Sequence, residues 1–338
     1  MPKPPMTRMR GFTLVELLIA LALSATVVMA ATASLVMAQR GFHAVDAAAQ
    51  MRENSRFAIE VIQRIALQAG YHDPLSSKSA SASAAIFGMD NVLAKLSSSH
   101  SDVLTTADFV SRSNPTPSRS DSKCVSSADT ACNNGSDVLA IRFQATADGS
   151  MVSCAGVQLL ADEPVVNLFH IAKSSANGEP ALMCSYFSSA SRSWITQSLV
   201  DGVESFQVLY GVDSNGDSVP EQFKNATQIT HTGGRWDDVR TLRIGLLMRG
   251  PPNSAPVKAA TLATQCTLGL SNHGLTALQS GGTIVVAPEP KDCIDPPSTL
   301  TNGAASTGAE FPRGGLRFVD DGRMRQVVIF TINLRNAL

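Results

Sequence analysis

Gly11-Phe12-Thr13-Leu14-Val15-Glu16-Leu17-Leu18-Ile19-Ala20 opens an apolar run that continues to Ala38. Between Phe12 and Gln39 the only charged side chain is Glu16. From Leu17 to Ala38 there is none, and as a helix that length crosses a ~30 Å hydrocarbon core. A carboxylate at a bilayer centre costs on the order of 2.5–3.5 kcal/mol, so an acid inside such a span is read as functional. Two kinds of chain carry a segment like this. A secretory signal peptide has a basic leader (here Lys3, Arg8 and Arg10), an apolar stretch and cleavage after small residues such as Ala31-Thr32-Ala33. That reading leaves Glu16 without a purpose. Cleavage between Gly11 and Phe12 instead exposes a new α-amino group one turn from Glu16 and keeps the apolar helix in the mature chain. The acid then has a partner, the N-terminal ammonium of its own chain or of a neighbour.

The stretch from Gly11 to Glu16 resembles the prepilin peptidase motif of type IV pilins and type II secretion pseudopilins. The resemblance implies cleavage between Gly11 and Phe12, N-methylation of Phe12, and an assembly role for Glu16. The basic residues before the span place the N-terminus in the cytoplasm and the body of the chain beyond the bacterial inner membrane, as a single-pass protein.

The apolar pattern does not stop with the span. No proline interrupts residues 39–69, and Ala58, Val61, Ile62, Ile65 and Ala69 recur at helical spacing. Glu60 and Arg64 form an i,i+4 pair in the favourable order, and Gly70 with Pro74 is a stop signal. The expected organisation is a leader over 1–11, a transmembrane and assembly helix over 12–70, and a β-rich head over 71–338. Within the head, residues 75–136 are serine-rich, with short apolar stretches at 84–96 and 103–110. From Asp137 the period becomes that of strands, at 138–143, 151–160, 181–187, 194–199, 205–210, 239–248 and 326–334. A Pro/Gly/Thr-rich excursion, roughly 251–315, separates the last two. The fold class expected is α+β: a long helical spine on an antiparallel sheet, type IV pilin-like.

Of the 338 residues, 44% are hydrophobic and 16% charged, and 27 Lys+Arg against 28 Asp+Glu leave a net charge of −1. Such a balance gives no bulk attraction to nucleic acid or anionic lipid. The six cysteines, Cys124, Cys132, Cys154, Cys184, Cys266 and Cys293, all follow the span. Outside the inner membrane they are expected to form disulfides. Fifteen connectivities exist; local pairing of Cys124 with Cys132, Cys154 with Cys184 and Cys266 with Cys293 is expected, because each closes a short excursion.

One run looks like a metal loop. Asp213, Asn215, Asp217 and Glu221 place oxygen donors at alternating positions, as in the first part of an EF-hand-type calcium loop. Ser218 stands in the usual glycine position and Lys224 where a bidentate acid belongs. Asn215-Gly216 alone is also a strong hairpin signal. No nucleophile elbow, phosphate loop or CxxC pair occurs, and the six histidines lack metal-ligand spacing. No enzyme is expected. Arg313, Arg317, Arg323, Arg325 and Arg335 make the C-terminal stretch basic, which admits contact with DNA or an anionic surface, although Asp320-Asp321 interrupts it.

The sequence from Trp194 through Gly211, and Trp236 followed by Arg243-Ile244-Gly245-Leu246-Leu247, resembles the head of PilW-type minor pilins. That resemblance implies a subunit that helps initiate type IV pilus assembly and joins the filament at its tip, supporting pilus biogenesis, twitching motility and adhesion. The partners implied are other minor pilins, the major pilin, the prepilin peptidase and the inner-membrane assembly platform. Alternatives are a large pseudopilin of type II secretion and a tip adhesin or DNA-binding pilin.

Overall fold

The computed structural model describes residues 13–74, 76, 84–90, 92–94, 96, 109–111, 136–160, 162–231, 235–254 and 323–336. Helix α1, Leu14–Ala66, has 53 residues and is about 80 Å long at 1.5 Å per residue. Its two halves meet different surroundings. From Thr13 to His43 every residue is exposed, so the apolar run packs on nothing among the described residues. Beyond it, Ala47, Met51, Ser55, Ala58, Val61, Ile62, Ile65 and Ala66 form a buried stripe, stepping by three or four as a helix face on a core must.

The strands are β1 (Ile86–Met89), β2 (Val92–Ala94), β3 (Phe109–Ser111), β4 (Val138–Gln144), β5 (Pro164–Lys173) and β6 (Pro180–Ser188). They continue with β7 (Ser193–Asp201), β8 (Val203–Val212), β9 (Gln222–Lys224), β10 (Val239–Arg249) and β11 (Arg325–Asn333). All pairings are antiparallel. They make a five-stranded sheet β1-β4-β5-β6-β7, a four-stranded sheet β11-β10-β8-β9, and the hairpin β2-β3. The chain passes between the two larger sheets at Gly202. Its φ is +81°, and a Cβ there would lie 2.7 Å from the Arg249 carbonyl oxygen, so only glycine fits. The Asp137 amide also donates to the Phe206 carbonyl at 2.8 Å, and the Val208 amide donates to the Asp137 carboxylate at 2.9 Å. These bonds occupy the part of the β8 edge that short β9 leaves uncovered.

One core joins the helix stripe to both sheets, with Phe169, Ile171, Leu182, Phe206, Val208, Tyr210, Ile244 and Leu246 among its members. Strand β8 is buried along all ten residues. The end of α1 is sewn to the head: the Gly70 amide donates to the Arg142 carbonyl at 2.9 Å, and the Gln144 amide to Tyr71 at 2.9 Å.

The expected spine and antiparallel head are present, with several differences. Among the described residues the head has two larger sheets and a two-stranded one rather than a single sheet. Residues 151–160 form a loop instead of a strand, with a single bridge between Val152 and Gln158, because Gly149 and Gly156 at positive φ turn the chain back on itself. Strand β5, absent from the expectation, is buried continuously from Val165 to Ile171, and a strand covered on both faces shows no alternation. A short helix α2, Ala226–His231, and a 3-10 turn, Trp236–Asp238, also lie between strands. Gly11, Phe12, Cys124, Cys132, Cys266 and Cys293 lie outside the described residues.

Candidate functional site

The helix start is built by Thr13 and Glu16. Thr13 is the N-cap with extended backbone (φ −75°, ψ 151°). Its hydroxyl oxygen accepts from the Glu16 amide at 3.3 Å. In return its amide and hydroxyl both donate to Glu16 Oε2, each at 2.9 Å. This is a capping box, which satisfies donors that a helix N-terminus otherwise leaves open. The Thr-x-x-Glu spacing is itself a capping signal in the sequence. Further along the span, the hydroxyls of Ser24, Thr26 and Thr32 donate to the carbonyls of Leu21, Leu23 and Met29 at 2.8–2.9 Å. The helix is long and apolar enough to cross a membrane.

Residues 213–221 connect β8 to β9, whose last pair is Val212 with Gln222. The carboxylates of Asp213, Asp217 and Glu221 come together there, with ligand oxygens within 4.8 Å of one another. Asp213 accepts from the Gly216 amide at 2.6 Å and the Ser218 amide at 2.8 Å. Arg240 Nε stands 3.5 Å from its Oδ2. Burial works against its charge, but the amides of Gly216, Ser218 and Asn215 and the Arg240 guanidinium hold its carboxyl below the usual range. Asn215 Oδ1 accepts from the Asp217 amide at 2.8 Å, and Glu221 Oε2 from the Ser214 amide at 2.8 Å. The loop is therefore a longer connection than the two-residue turn that Asn215-Gly216 signals. Its donor set suits a hard cation, yet Arg240 already stands beside the most buried carboxylate.

A second charged cluster lies where β10 ends and β11 begins. Arg249 and Arg325 face each other directly in the register, which for like charges is unfavourable. Glu204 bridges them. Arg325 donates to it through Nε at 2.8 Å and Nη2 at 2.9 Å, and Arg249 through Nη1 at 3.1 Å. Glu179, from the turn before β6, pairs with Arg249 and takes Arg323 Nη2 at 3.0 Å. Burial opposes the charge of Glu179, and bonds and charges from Arg249 and Arg323 prevail, so its carboxyl sits below the usual range. Two of the five arginines that made the C-terminal stretch look like an anion-binding surface are thus spent inside the head.

Cys154 and Cys184 are joined by a disulfide, which pins the 151–160 loop to β6 inside the core. Asn167 Oδ1 accepts from the Cys154 amide at 2.8 Å. His170 on β5 is buried, 2.9 Å from Ser185 Oγ through Nε2, and burial lowers its pKa to about 4. Nothing among these groups forms a nucleophile–base pair open to solvent.

Comparison with known proteins agrees with this architecture at two places in the sequence. Residues 168–336 match the family described as Type IV Pilus-assembly protein W, and residues 6–32 match the prokaryotic N-terminal methylation motif. Among solved structures, a type IV-like pilin from Thermus thermophilus aligns with a TM-score of 0.37 at 12% identity, over 85% of this chain and 98% of that one. No curated protein matches the chain.

Proposed function

The chain belongs to the Type IV Pilus-assembly protein W family, and on that footing we propose that it is a minor pilin that helps initiate type IV pilus assembly and is built into the filament, at its tip. One observation carries the proposal: a single helix whose first half is apolar and uncovered by any of the described residues, and whose second half is locked into the head. Such a helix rests in lipid until it can exchange lipid for the apolar helices of other subunits, so its hydrophobic burial survives the transfer. Glu16 pairs with the methylated N-terminus of a neighbour and sets the axial register. The large head, with its five-stranded and four-stranded sheets, is ill suited to close lateral packing in a filament body and favours the end. In this role the prepilin peptidase cuts between Gly11 and Phe12 and methylates Phe12, and the assembly platform draws the subunit from the inner membrane. The head lies on the outer side. The role is structural, and motility and adhesion depend on it through the filament.

Calcium belongs to the proposal only as a weak ligand of Asp213, Asn215, Asp217 and Glu221, in competition with Arg240. The test of the main reading is a deletion strain in which sheared surface pili and membrane-held major pilin are quantified together. Priming predicts that pili fall sharply while major pilin accumulates in the membrane. Normal pilus numbers with only adhesion lost would reject priming and favour a tip adhesin.

A further inference from the structure

We propose that the Asn-Gly pairs at 177 and 215 are sites of spontaneous deamidation with unequal rates, Asn177 open to the reaction and Asn215 guarded by Asp213. In this reaction the glycine amide nitrogen gives up its proton and attacks Cγ of the asparagine. The new C–N bond closes a five-membered succinimide, and the side-chain nitrogen leaves as ammonia, taking up a proton. Water then opens the ring to aspartate or isoaspartate, and it is the only co-reactant. Glycine is the following residue that favours the attack, because no Cβ shields the nitrogen.

The two pairs are closely matched. Both asparagines are exposed, Asn177 in the turn between β5 and β6 and Asn215 in the connection from β8 to β9. Each Oδ1 accepts from the amide two residues on, Glu179 at 2.9 Å and Asp217 at 2.8 Å. Each Nδ2 donates to an aspartate, Asp201 at 2.7 Å and Asp217 at 3.1 Å. The attacking nitrogens are what differ. The Gly178 amide donates to the Ser174 carbonyl at 2.9 Å, a neutral acceptor. The Gly216 amide donates to the Asp213 carboxylate at 2.6 Å. A charge-assisted bond is roughly twice as strong as a neutral one, and either must break before the proton can leave. Asp213 does not take that proton itself, because its carboxyl sits below the usual range and is a correspondingly weak base. It holds the proton on the nitrogen that the reaction needs bare. At Asn177 the product is also unfavourable for the head. It sets a carboxylate against Asp201, where Asn177 now donates, in the turn that carries Glu179.

A loosened loop also deamidates faster, so the experiment must separate rigidity from the hold on one proton. The full chain in detergent is incubated in mildly alkaline buffer, native and unfolded in guanidinium, as wild type, Asp213→Asn and Glu221→Ala. Peptide mapping by mass spectrometry follows aspartate and isoaspartate at 177 and 215. Folding should slow both sites. In the wild type the slowing at 215 should exceed that at 177 about ten-fold, equivalent to about 1.4 kcal/mol. Asp213→Asn should remove most of that excess and leave 177 as in the wild type. Glu221→Ala takes away the bonds from Ser214 that close the loop and leaves the Gly216 bond in place, so the excess should remain. Equal slowing at the two sites of the wild type overturns the inference. So does an excess that survives Asp213→Asn, or one that Glu221→Ala removes as fully, which would assign the protection to loop rigidity. If Asp213→Asn does not fold, which unfolded-state rates at both sites would reveal, the wild-type ratio and Glu221→Ala decide.

Discussion

Replacing Glu204 with glutamine should be among the most damaging single changes in the head. The carboxylate is 7% exposed, against 18% for Arg249 and 11% for Arg325, and it is the group that lets two arginines face each other in register. Removing one partner of a buried ion pair costs about 3–5 kcal/mol, because the remaining charge is left without compensation. Glu179 still contacts Arg249, so the lower end, about 3 kcal/mol, applies. For a head of this size that corresponds to a fall in melting temperature of roughly 6–12 °C. The assay is thermal unfolding of the full chain in detergent, followed by the circular dichroism of its sheets. An exposed pair supplies the contrast: Arg235 and Asp237, at 3.4 Å with side chains 73% and 45% exposed, should contribute no more than about 1 kcal/mol, so Asp237→Asn should barely move the transition. Equal small shifts for Glu204→Gln and Asp237→Asn would refute the reasoning.

Other perturbations probe separate parts of the head. Gly202→Ala forces an L side chain to a φ of +81°, which costs about 1–2 kcal/mol before the clash with the Arg249 carbonyl is counted; a melting temperature equal to wild type would remove the crossover from its place in the fold. His170 titrates near 4 in the folded head and near 6.5 unfolded, so its stabilising contribution is complete above pH 6.5 and is lost as pH falls toward 4. That amounts to roughly 3 kcal/mol, and His170→Gln should flatten stability against pH in this window; an unchanged slope contradicts it. Calcium in the millimolar range should raise the melting temperature only slightly if it competes with Arg240, and Asp217→Ala should abolish the gain; a wild type indifferent to calcium leaves the 213–221 segment a plain connection.

The helix was the most legible part of the chain. Its apolar run, the repeat from Ala58 to Ala69 and the stop at Gly70 each follow from spacing within a few turns. Most strands could be located because turn residues bound them, but their grouping could not. That the chain leaves one sheet and enters the other at Gly202 depends on a contact with Arg249, nearly fifty positions away. Strand β5 escaped notice because it is covered on both faces, so Asn167 and His170 sit in a run with no polar alternation. The 151–160 segment looked like a strand from its apolar residues, whereas its path is set by two glycines and the bond from Cys154 to Cys184. At the helix start, Glu16 stood out as a lone charge, while its partner Thr13 is an ordinary residue until the cap geometry is seen. The arginines of the C-terminal stretch carried a visible charge, but only the folded head shows that Arg323 and Arg325 answer Glu179 and Glu204.

The most direct test of the pilin assignment is the intact mass of the mature chain, isolated both from membranes and from sheared filaments. A chain that begins at N-methylated Phe12 in both fractions is the expected result, since only that cut leaves the apolar helix in place with an amine beside Glu16. A mature N-terminus at Ser34 or Gln39, with the apolar run removed, would contradict it.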